Sequence, residues 1–371
     1  MAVFLICEFD PFHYGHEYII KKAKELYPGA PVVCVMSGSF VQRGRPAVAD
    51  AFSRGRCAVE GGADLVLSLP FPWCASSAER FAEGALSVIA GLYRPGDALV
   101  FGSECGDAVI LRAAAETLSS PDFRRRLDEY VKETKTPYAK ARELLYDDGE
   151  VLSAPNDILG IEYIKAAAKL CPGLEITPVK RDPAFASSTD IKNAADPLSL
   201  VPGYAKRILS ETDFPADIKY AERLIISHLR ASPYRQAADG EHGLIFRLSE
   251  AAKNAGGFDE LVAAASSAQF TNARIRRAAL YSYFGVNAPY LKDLPCFTQL
   301  IAADGAGIKY LSSVRATRRT EIITKPSDLS KLSEKAKKQY ELQRRSDEFY
   351  CFCNKNVLPG AYFLRCTPYI K

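Results

Sequence analysis

The sequence of 371 residues has no long apolar run. No stretch reaches the ~18 residues that a membrane-spanning helix needs. The apolar start, MAVFLICEFDPFHYGH, is short and lacks a basic region, which disfavours a secretory signal peptide. We therefore expect no membrane association, and we interpret the first residues as a buried strand.

Metal-type cysteine spacing is also lacking. The ten cysteines are scattered from Cys7 to Cys366, and no CxxC pair occurs among them. Most lie in apolar runs, as Cys34 does in PVVCVM, where cysteine behaves as a small hydrophobe. This pattern disfavours a disulfide scaffold or a protein-bound metal and favours the reducing cytoplasm.

Charge of one sign is not in large excess. The net charge is +4, with 48% hydrophobic and 25% charged residues, an ordinary globular balance. Such a charge is compatible with nucleic-acid binding but does not indicate it, so the informative feature is whether basic residues form local clusters. The length leaves room for about two domains.

Short β-rich runs alternate with helical patterns in the first half. This alternation predicts βαβ units and an α/β, Rossmann-like, doubly wound parallel sheet. Its ligands are expected in the loops that follow the strands. The predicted strands are Ala2–Phe9, Pro31–Met36, Asp64–Leu69, Asp97–Phe101 and Leu174–Val179. The predicted helices are Glu17–Leu26, Val48–Glu60, Ala78–Leu92, Ala108–Leu118 and Ile158–Leu170.

The pattern changes after Asp196-Pro197 and becomes mostly helical. The only strand signal is a weak one at Glu321–Thr324. We therefore predict two domains, residues 1–200 and a mainly α-helical domain of residues 201–371. The helices predicted in the second half are Ile218–Arg230, Leu244–Asn254, Asp259–Ala265, Ala273–Phe284 and Leu332–Cys351.

Two of the four histidines lie in one motif, DPFHYGH, which follows the first predicted strand and opens a helix. His13 and His16 are three residues apart, on one side of a first helical turn, where the helix N-terminus favours anions. Imidazole N–H groups and backbone amides there would bind phosphates. The alternatives are two histidines that cap a helix or bind a metal, whereas His228 and His242 are each alone and are expected to be structural.

DPFHYGH resembles the HxGH signature of the adenylyl-transferring superfamily. SGSFVQRGRPAVAD, GADLVLSLPF, FGSE, PNDILGIEY and SSTDIK then follow in the order seen in the bacterial tRNA(Met) cytidine acetate ligases. In the second half, FTNARIRRAALYSYFG is similar to a basic helix of that family.

The resemblance implies that ATP activates acetate as acetyl-adenylate. The acetyl group then passes to the wobble cytidine of elongator tRNA(Met), forming N4-acetylcytidine. It implies ATP as substrate with Mg²⁺, and tRNA and acetate as partners. It also implies catalysis by positioning and charge stabilisation, without a covalent enzyme intermediate.

The same resemblance implies the site residues. Those with catalytic roles are His13, His16 and Lys192. The implied ATP-binding residues are Ile6, Cys7, Glu8, Phe9, Asp10, Pro11, Phe12, His13, Tyr14, Gly15, His16, Glu17, Tyr18, Ile19, Gly102, Asn156, Arg181, Ser188 and Thr189.

Each implied ATP-binding residue outside the first loop also has a structural interpretation. Gly102 suits a tight turn, Asn156 a helix N-cap, and Arg181 a solvated strand end. Ser188 and Thr189 suit ordinary helix capping.

Five positions depart from the family's usual pattern. Asp10, Ser39 and Asp157 stand where it has asparagine, Ala51 where it has lysine, and Lys192 where it has arginine. Asp10 would add negative charge beside phosphates, unless it binds Mg²⁺ or caps the helix. Lys192 keeps a charge but loses the bidentate fork of arginine.

The strongest basic cluster is Arg274, Arg276 and Arg277, in a stretch without acidic residues from Leu261 to Lys292. Guanidinium groups would contact tRNA phosphates, and the interleaved aromatic residues would either stack on unpaired bases or lie in the core.

Two other functions remain open at this point. One is a small-molecule adenylyltransferase of the pantetheine-phosphate type, against which the basic helical second half counts. The other is a divergent RNA-binding member with lost or altered chemistry.

Overall fold

The computed structural model describes residues 1–134, 136–146 and 149–371. The strands are β1 Val3–Cys7, β2 Val32–Ser37, β3 Phe40–Val41, β4 Arg45–Pro46, β5 Leu65–Leu69, β6 Ala98–Ser103, β7 Glu175–Lys180, β8 Phe297–Ala303, β9 Glu321–Ile323 and β10 Tyr369–Ile370.

The α-helices are α1 Tyr14–Leu26, α2 Ala51–Glu60, α3 Ala78–Ala90, α4 Ala108–Ser119, α5 Pro121–Thr134, α6 Tyr138–Leu145, α7 Gly149–Ser153, α8 Pro155–Leu170, α9 Ser188–Asn193, α10 Gly203–Ser210, α11 Glu222–Ala231, α12 Leu244–Ala252, α13 Phe258–Ala265, α14 Asn272–Phe284, α15 Ala288–Lys292, α16 Gly305–Val314, α17 Glu334–Cys351 and α18 Tyr362–Arg365. Among the described residues, no helix has both the length and the apolar character needed to cross a membrane.

Five parallel strands form the centre of the main sheet, in the order β5-β2-β1-β6-β7. The chain moves outward from β1 through β2 to β5 and then returns to the other side of β1 with β6. The doubly wound topology predicted from the sequence is therefore confirmed. The order reverses between β1 and β6, and at such a switch point ligands bind beyond the carboxyl ends of the strands.

The five predicted strands are all present, with ends that differ by no more than two residues. β2, β5 and most of β1 are buried, as expected for strands covered on both faces. The five predicted helices of the second half correspond to α11, α12, α13, α14 and α17.

The weak strand signal at Glu321–Thr324 corresponds to β9, whereas β8 and β10 were not predicted. β8 pairs antiparallel with β5, and β9 and β10 both pair with β8, so these three strands extend the main sheet. The run FTQLIAA is short, buried and mostly apolar, and such a run does not show by periodicity whether it is strand or helix. The boundary predicted between residues 200 and 201 stays a prediction, and one hydrophobic cluster includes residues from both sides of it.

The contact between α2 and β8 gives a test of this packing. A Cβ added at Gly55 would lie 2.5 Å from Cγ2 of Ile301. Overpacking costs about 1–3 kcal/mol. We expect Gly55→Ala to lower the free energy of unfolding by about 1–2 kcal/mol relative to Gly305→Ala. At Gly305 the new methyl group would meet nothing within 4 Å. Urea unfolding measures both variants, and equal stabilities would contradict the packing of α2 on β8.

Candidate active site

The loop between β1 and α1 lies at the switch point of the sheet. β1 ends at Cys7, and α1 begins at Tyr14 with His13 as its N-cap. β6 is the neighbour of β1 on the other side of the switch point, and it brings Gly102 to the same edge. A Cβ at Gly102 would lie 3.7 Å from Ile19 of α1 and 3.7 Å from Arg181, which follows β7. The structure thus brings three separated segments of the predicted site together.

The two histidines of the motif hold each other in place. Nδ1 of His13 accepts a hydrogen bond from the Gly15 N–H (3.1 Å), and Nδ1 of His16 accepts one from the His13 N–H (3.3 Å). The ring centroids are 3.7 Å apart. Because each Nδ1 accepts, the hydrogen-bond network assigns the proton of each neutral ring to Nε2.

Both imidazoles are held neutral. Burial, with a smaller effect of the Arg181 charge, lowers the pKa of His13 to about 4. Burial also lowers the pKa of His16, and the neighbouring His13 and Arg181 add to this effect, against the opposing effect of a hydrogen bond with the Pro11 backbone. Neutral rings with Nε2–H groups are hydrogen-bond donors at neutral pH, so they can bind an anion without carrying a permanent charge.

The segment from Ser187 to Lys192 approaches this pair from α9. Ser187 caps α9, and Oγ of Ser188 lies 3.1 Å from Nε2 of His13. Thr189 and Arg181 are exposed. Ser188 and Arg181 therefore join the histidines at one rim, and Thr189 lies beside them in the sequence.

The FGSE loop is fixed by the start of α8. The Asp157 carboxylate is buried and accepts hydrogen bonds from the Ser103 hydroxyl and from the backbone N–H groups of Glu104 (2.9 Å) and Cys105 (3.0 Å). Asn156 Nδ2 donates to Glu104 (2.7 Å). Glu104 also lies 3.6 Å from the Arg181 guanidinium. Glu104 links Asn156 to Arg181, a role that the sequence analysis missed although FGSE had been singled out.

Asp10 and Lys192 are paired with each other. The Asp10 carboxylate is 3% exposed and forms an ion pair with the Lys192 ammonium. Its other oxygen accepts from the Val48 N–H (2.7 Å). Asp10 therefore neither caps α1 nor leaves an oxygen free. Its negative charge is neutralised by Lys192, which carries the same charge as the arginine of the family pattern.

Two phenylalanine rings pack against His16. Phe9 and Phe12 are buried, with ring centroids 4.9 Å and 5.8 Å from that of His16. Their contacts restrict the position of the His16 ring. The Glu8 carboxylate accepts from the Gln42 N–H (2.6 Å), and burial raises its pKa.

Arg54 is a structural determinant of the site that the sequence analysis did not single out. Its side chain is fully buried, and its guanidinium donates to the carbonyl oxygens of Ala49 (2.8 Å), Glu8 (2.5 Å) and Gly38. It thereby joins the loops that follow β1 and β2. An arginine in SRGR on a helix carries no sequence signal for this role.

The three arginines predicted to bind tRNA differ in their surroundings. Arg277 is buried and pairs with Asp239 (2.5 Å). Arg274 pairs with Glu241 (3.2 Å) and donates to the Asp239 carbonyl (2.9 Å). Within the described ranges, no carboxylate lies at ion-pair distance from Arg276. Burial and pairing favour a structural role for Arg277, and the assignment of all three to tRNA stays a prediction.

Metal-ligating residues do not cluster at this edge. The described residues contain no group of three or more His, Cys, Asp or Glu side chains placed to hold a metal ion. The acidic residues of the loop, Glu8 and Asp10, already accept hydrogen bonds from the protein. The protein residues therefore do not fit a preformed Mg²⁺ site.

The protonation of the histidine pair can be tested directly. Because the pKa of His13 is about 4 in the folded protein, below the ordinary value of 6.5, its neutral form stabilises the folded state above pH 6.5. That contribution is lost as the pH falls from 6.5 to about 4. Long-range ¹H–¹⁵N spectra at pH 6 are expected to show neutral rings protonated at Nε2, with His13→Gln assigning the signals. An imidazolium signal at His13 would contradict this protonation.

The Asp10–Lys192 pair gives a second test. Lys192→Met leaves a buried carboxylate without its cation, which we expect to cost about 3 kcal/mol of unfolding free energy. Asp10→Asn is expected to cost less, because Lys192 is partly exposed and can be hydrated. The double variant should show a coupling of about 0.5–3 kcal/mol in urea unfolding. Additive effects of the two substitutions would exclude a stabilising pair.

Comparisons with known proteins agree with this geometry. Residues 1–361 match the model of the HIGH Nucleotidyl Transferase family. The tRNA(Met) cytidine acetate ligase of Thermoanaerobacter sp. is 30% identical, over 99% of this chain and 98% of that protein. The ligase of the same name from Clostridium perfringens is 29% identical, over 97% of each.

A solved structure shares the whole fold. The crystal structure of Thermotoga maritima TmcAL bound with alpha-thio ATP superposes with a TM-score of 0.92 at 27% identity. The alignment covers 100% of this chain and 99% of that one. The chain belongs to the HIGH nucleotidyl transferases and, among them, to the tRNA(Met) cytidine acetate ligase family.

Proposed function

We propose that this enzyme activates acetate with ATP and transfers the acetyl group to the wobble cytidine of elongator tRNA(Met), forming N4-acetylcytidine. The observation that carries the proposal is the interlocked pair of neutral imidazoles at the N-terminus of α1, beside the switch point of the sheet. The names of the related proteins support acetate as the acid and tRNA(Met) as the acceptor. The ATP analogue bound to the Thermotoga protein supports ATP as the nucleotide.

In the first step, a carboxylate oxygen of acetate attacks the α-phosphorus of ATP. The bond from that phosphorus to the bridging oxygen breaks, and pyrophosphate leaves with the negative charge. We place the phosphates over the N-terminus of α1, where His13 and His16 offer Nε2–H donors. Arg181, Ser188, Thr189 and Lys192 are proposed to bind the phosphates from α9 and from the end of β7, beside the histidines. Donors already oriented toward the leaving group stabilise the charge as it develops.

In the second step, the exocyclic amine of cytidine attacks the acetyl carbonyl of acetyl-adenylate. The C–N bond forms, AMP leaves, and the amine loses a proton. Since no enzyme atom becomes covalently attached, the protein's contribution is to position the amine and the mixed anhydride. Gly102 and Asn156 are proposed to line the nucleotide side of this pocket, with residues 6–19 forming its floor.

The remaining assignments extend the proposal. Mg²⁺ would enter with ATP, held chiefly by the phosphates as is usual for this ion, and no step is derived through it. The cytoplasm is the proposed location, because the proposed acceptor is a tRNA.

The decisive assay separates activation from transfer. We expect acetate-dependent exchange of pyrophosphate into ATP without tRNA, and N4-acetylcytidine in tRNA(Met) nucleosides by mass spectrometry. His16→Ala should lower both by about 10²–10³-fold, the usual effect of removing a donor to developing charge. His242→Ala changes an exposed histidine in the helical second half and serves as the matched control.

Two outcomes would contradict the ligase. Exchange that requires a phosphopantetheine-like or nicotinate-like acceptor in place of acetate would indicate a small-molecule adenylyltransferase. Tight tRNA binding without any ATP turnover would indicate an RNA-binding member that has lost its chemistry.

A further inference from the structure

Three arginines from two distant segments meet beside the candidate active site. Arg43 and Arg45 flank Gly44 in the β3–β4 hairpin, and Arg276 lies in the first half of α14. Gly44, at the tip, has φ +68°, and a Cβ there would lie 2.9 Å from the Arg277 backbone nitrogen and 3.2 Å from Cβ of Arg276. The hairpin therefore packs its backbone directly on α14. Arg43, Arg45 and Arg276 are called the arginine cluster below.

The cluster carries positive charge that the protein does not neutralise. Arg43 and Arg45 are exposed, and Arg276 is partly buried. In the described part of the chain, none of the three has a carboxylate at ion-pair distance. Burial lowers the pKa of Arg276, and the charges of Arg45 and Arg43 lower it further, against the opposing effect of Asp259 on α13.

The neighbouring arginines show the contrast. Arg274 and Arg277 stand on the same helix, and each pairs with an acidic residue of the segment from Asp239 to Glu241. Acidic partners are thus available next to the cluster and are used by other side chains. Three like charges that remain together, mostly exposed, are typical of a site for an external polyanion.

The cluster is fixed relative to the histidine pair. The Gln42 N–H donates to the Glu8 carboxylate, and the Ala47 N–H donates to the Ser39 carbonyl (2.9 Å). Arg54 holds the carbonyl groups of Glu8 and Gly38 together. Gln42 and Arg45 are only three positions apart in the sequence, a span of at most about 11 Å. A polyanion bound at the cluster is therefore held within a few nucleotides of the loop that contains His13.

We propose that Arg43, Arg45 and Arg276 bind the sugar–phosphate backbone of the RNA whose cytidine enters the active site. The inference rests on the proposed function and names the docking surface for its acceptor. Guanidinium groups suit this task, because their planar forks bind phosphate oxygens in a bidentate manner. The three are positioning residues, since they act on the RNA backbone and not on the reacting amine.

The test measures binding of tRNA(Met) without ATP over a series of salt concentrations. Arg45→Gln and Arg276→Gln are each expected to weaken binding on the order of tenfold. Each should also reduce the slope of log K against log salt by about 0.7–0.9. Arg45→Lys should retain most of the affinity, because lysine still neutralises a phosphate as a point charge.

The matched control removes a charge at the other edge of the sheet. Lys309 is exposed on α16, a helix that packs through Gly307 against the Asp64 carbonyl at the amino end of β5. Lys309→Gln is expected to leave both affinity and slope unchanged. Arg45 is an exposed residue of β4, so the test does not depend on Arg276, whose variant is also checked by thermal unfolding.

Unchanged affinity and slope in the Arg45 and Arg276 variants would overturn the docking surface, as would an equal loss in Lys309→Gln. An acidic protein segment would then be the remaining class of partner for the cluster. Acetylation is measured separately. A protein that binds tRNA with the expected pattern but forms no N4-acetylcytidine supports the surface and overturns the proposed function. If the unsubstituted protein forms N4-acetylcytidine but both arginine variants bind tRNA as it does, the proposed function is supported and the docking surface is overturned.

Discussion

The buried guanidinium of Arg54 is the constraint on which the arrangement of the catalytic edge depends. It donates to carbonyl groups of the loops after β1 and β2 and to Ala49, just before its own helix. A fully buried cation is costly unless its donors are satisfied. Here backbone oxygens satisfy them. The Arg54 charge also acts to lower the pKa of the nearby Glu8 carboxyl group, against the larger effect of burial. The two loops are therefore held in one relative position, and this position sets both the histidine pair and the hairpin that presents the arginine cluster.

Charge at this edge is arranged so that the histidines stay neutral. Asp10 and Lys192 cancel within one ion pair, while Arg181 remains exposed and adds to the burial effect that lowers both histidine pKa values. With asparagine at position 10 and arginine at position 192, as in the family pattern, the two side chains would carry a net positive charge. With Asp10 and Lys192 their net charge is zero. At the proposed phosphate site, the neutral imidazole donors are accompanied by Arg181, whose guanidinium lies 3.6 Å from the Glu104 carboxylate. The difference in net charge at positions 10 and 192 would affect how strongly the proposed site binds pyrophosphate after it forms.

The sequence predicted the central sheet well because each parallel strand is a continuous apolar run beside turn residues, as in PVVCVM. It also located the histidine pair, whose geometry is local to one helical turn. It did not predict β8, because FTQLIAA joins the sheet only through pairing with β5. Nor did it predict the Asp10–Lys192 contact, which joins positions 182 residues apart. The residues around Asp10 and Lys192 in the sequence do not indicate that the two side chains pair. The sequence likewise gives no local signal for the contacts of Arg54 or for the proximity of Arg43 and Arg45 to Arg276.

The two halves of the chain contribute different kinds of recognition to one edge. The first half supplies neutral donors that are fixed by hydrogen bonds between neighbouring residues, which suits a charge that appears only during the reaction. The second half supplies Arg276, whose permanent charge suits a polyanion that is charged before and after the reaction. These two roles meet at the β3–β4 hairpin, because its turn contacts Glu8 through Gln42 and α14 through Gly44. With the proposed function and docking surface, the hairpin would set the distance between the nucleotide loop and the bound RNA, and this distance would determine which base could reach the acetyl group.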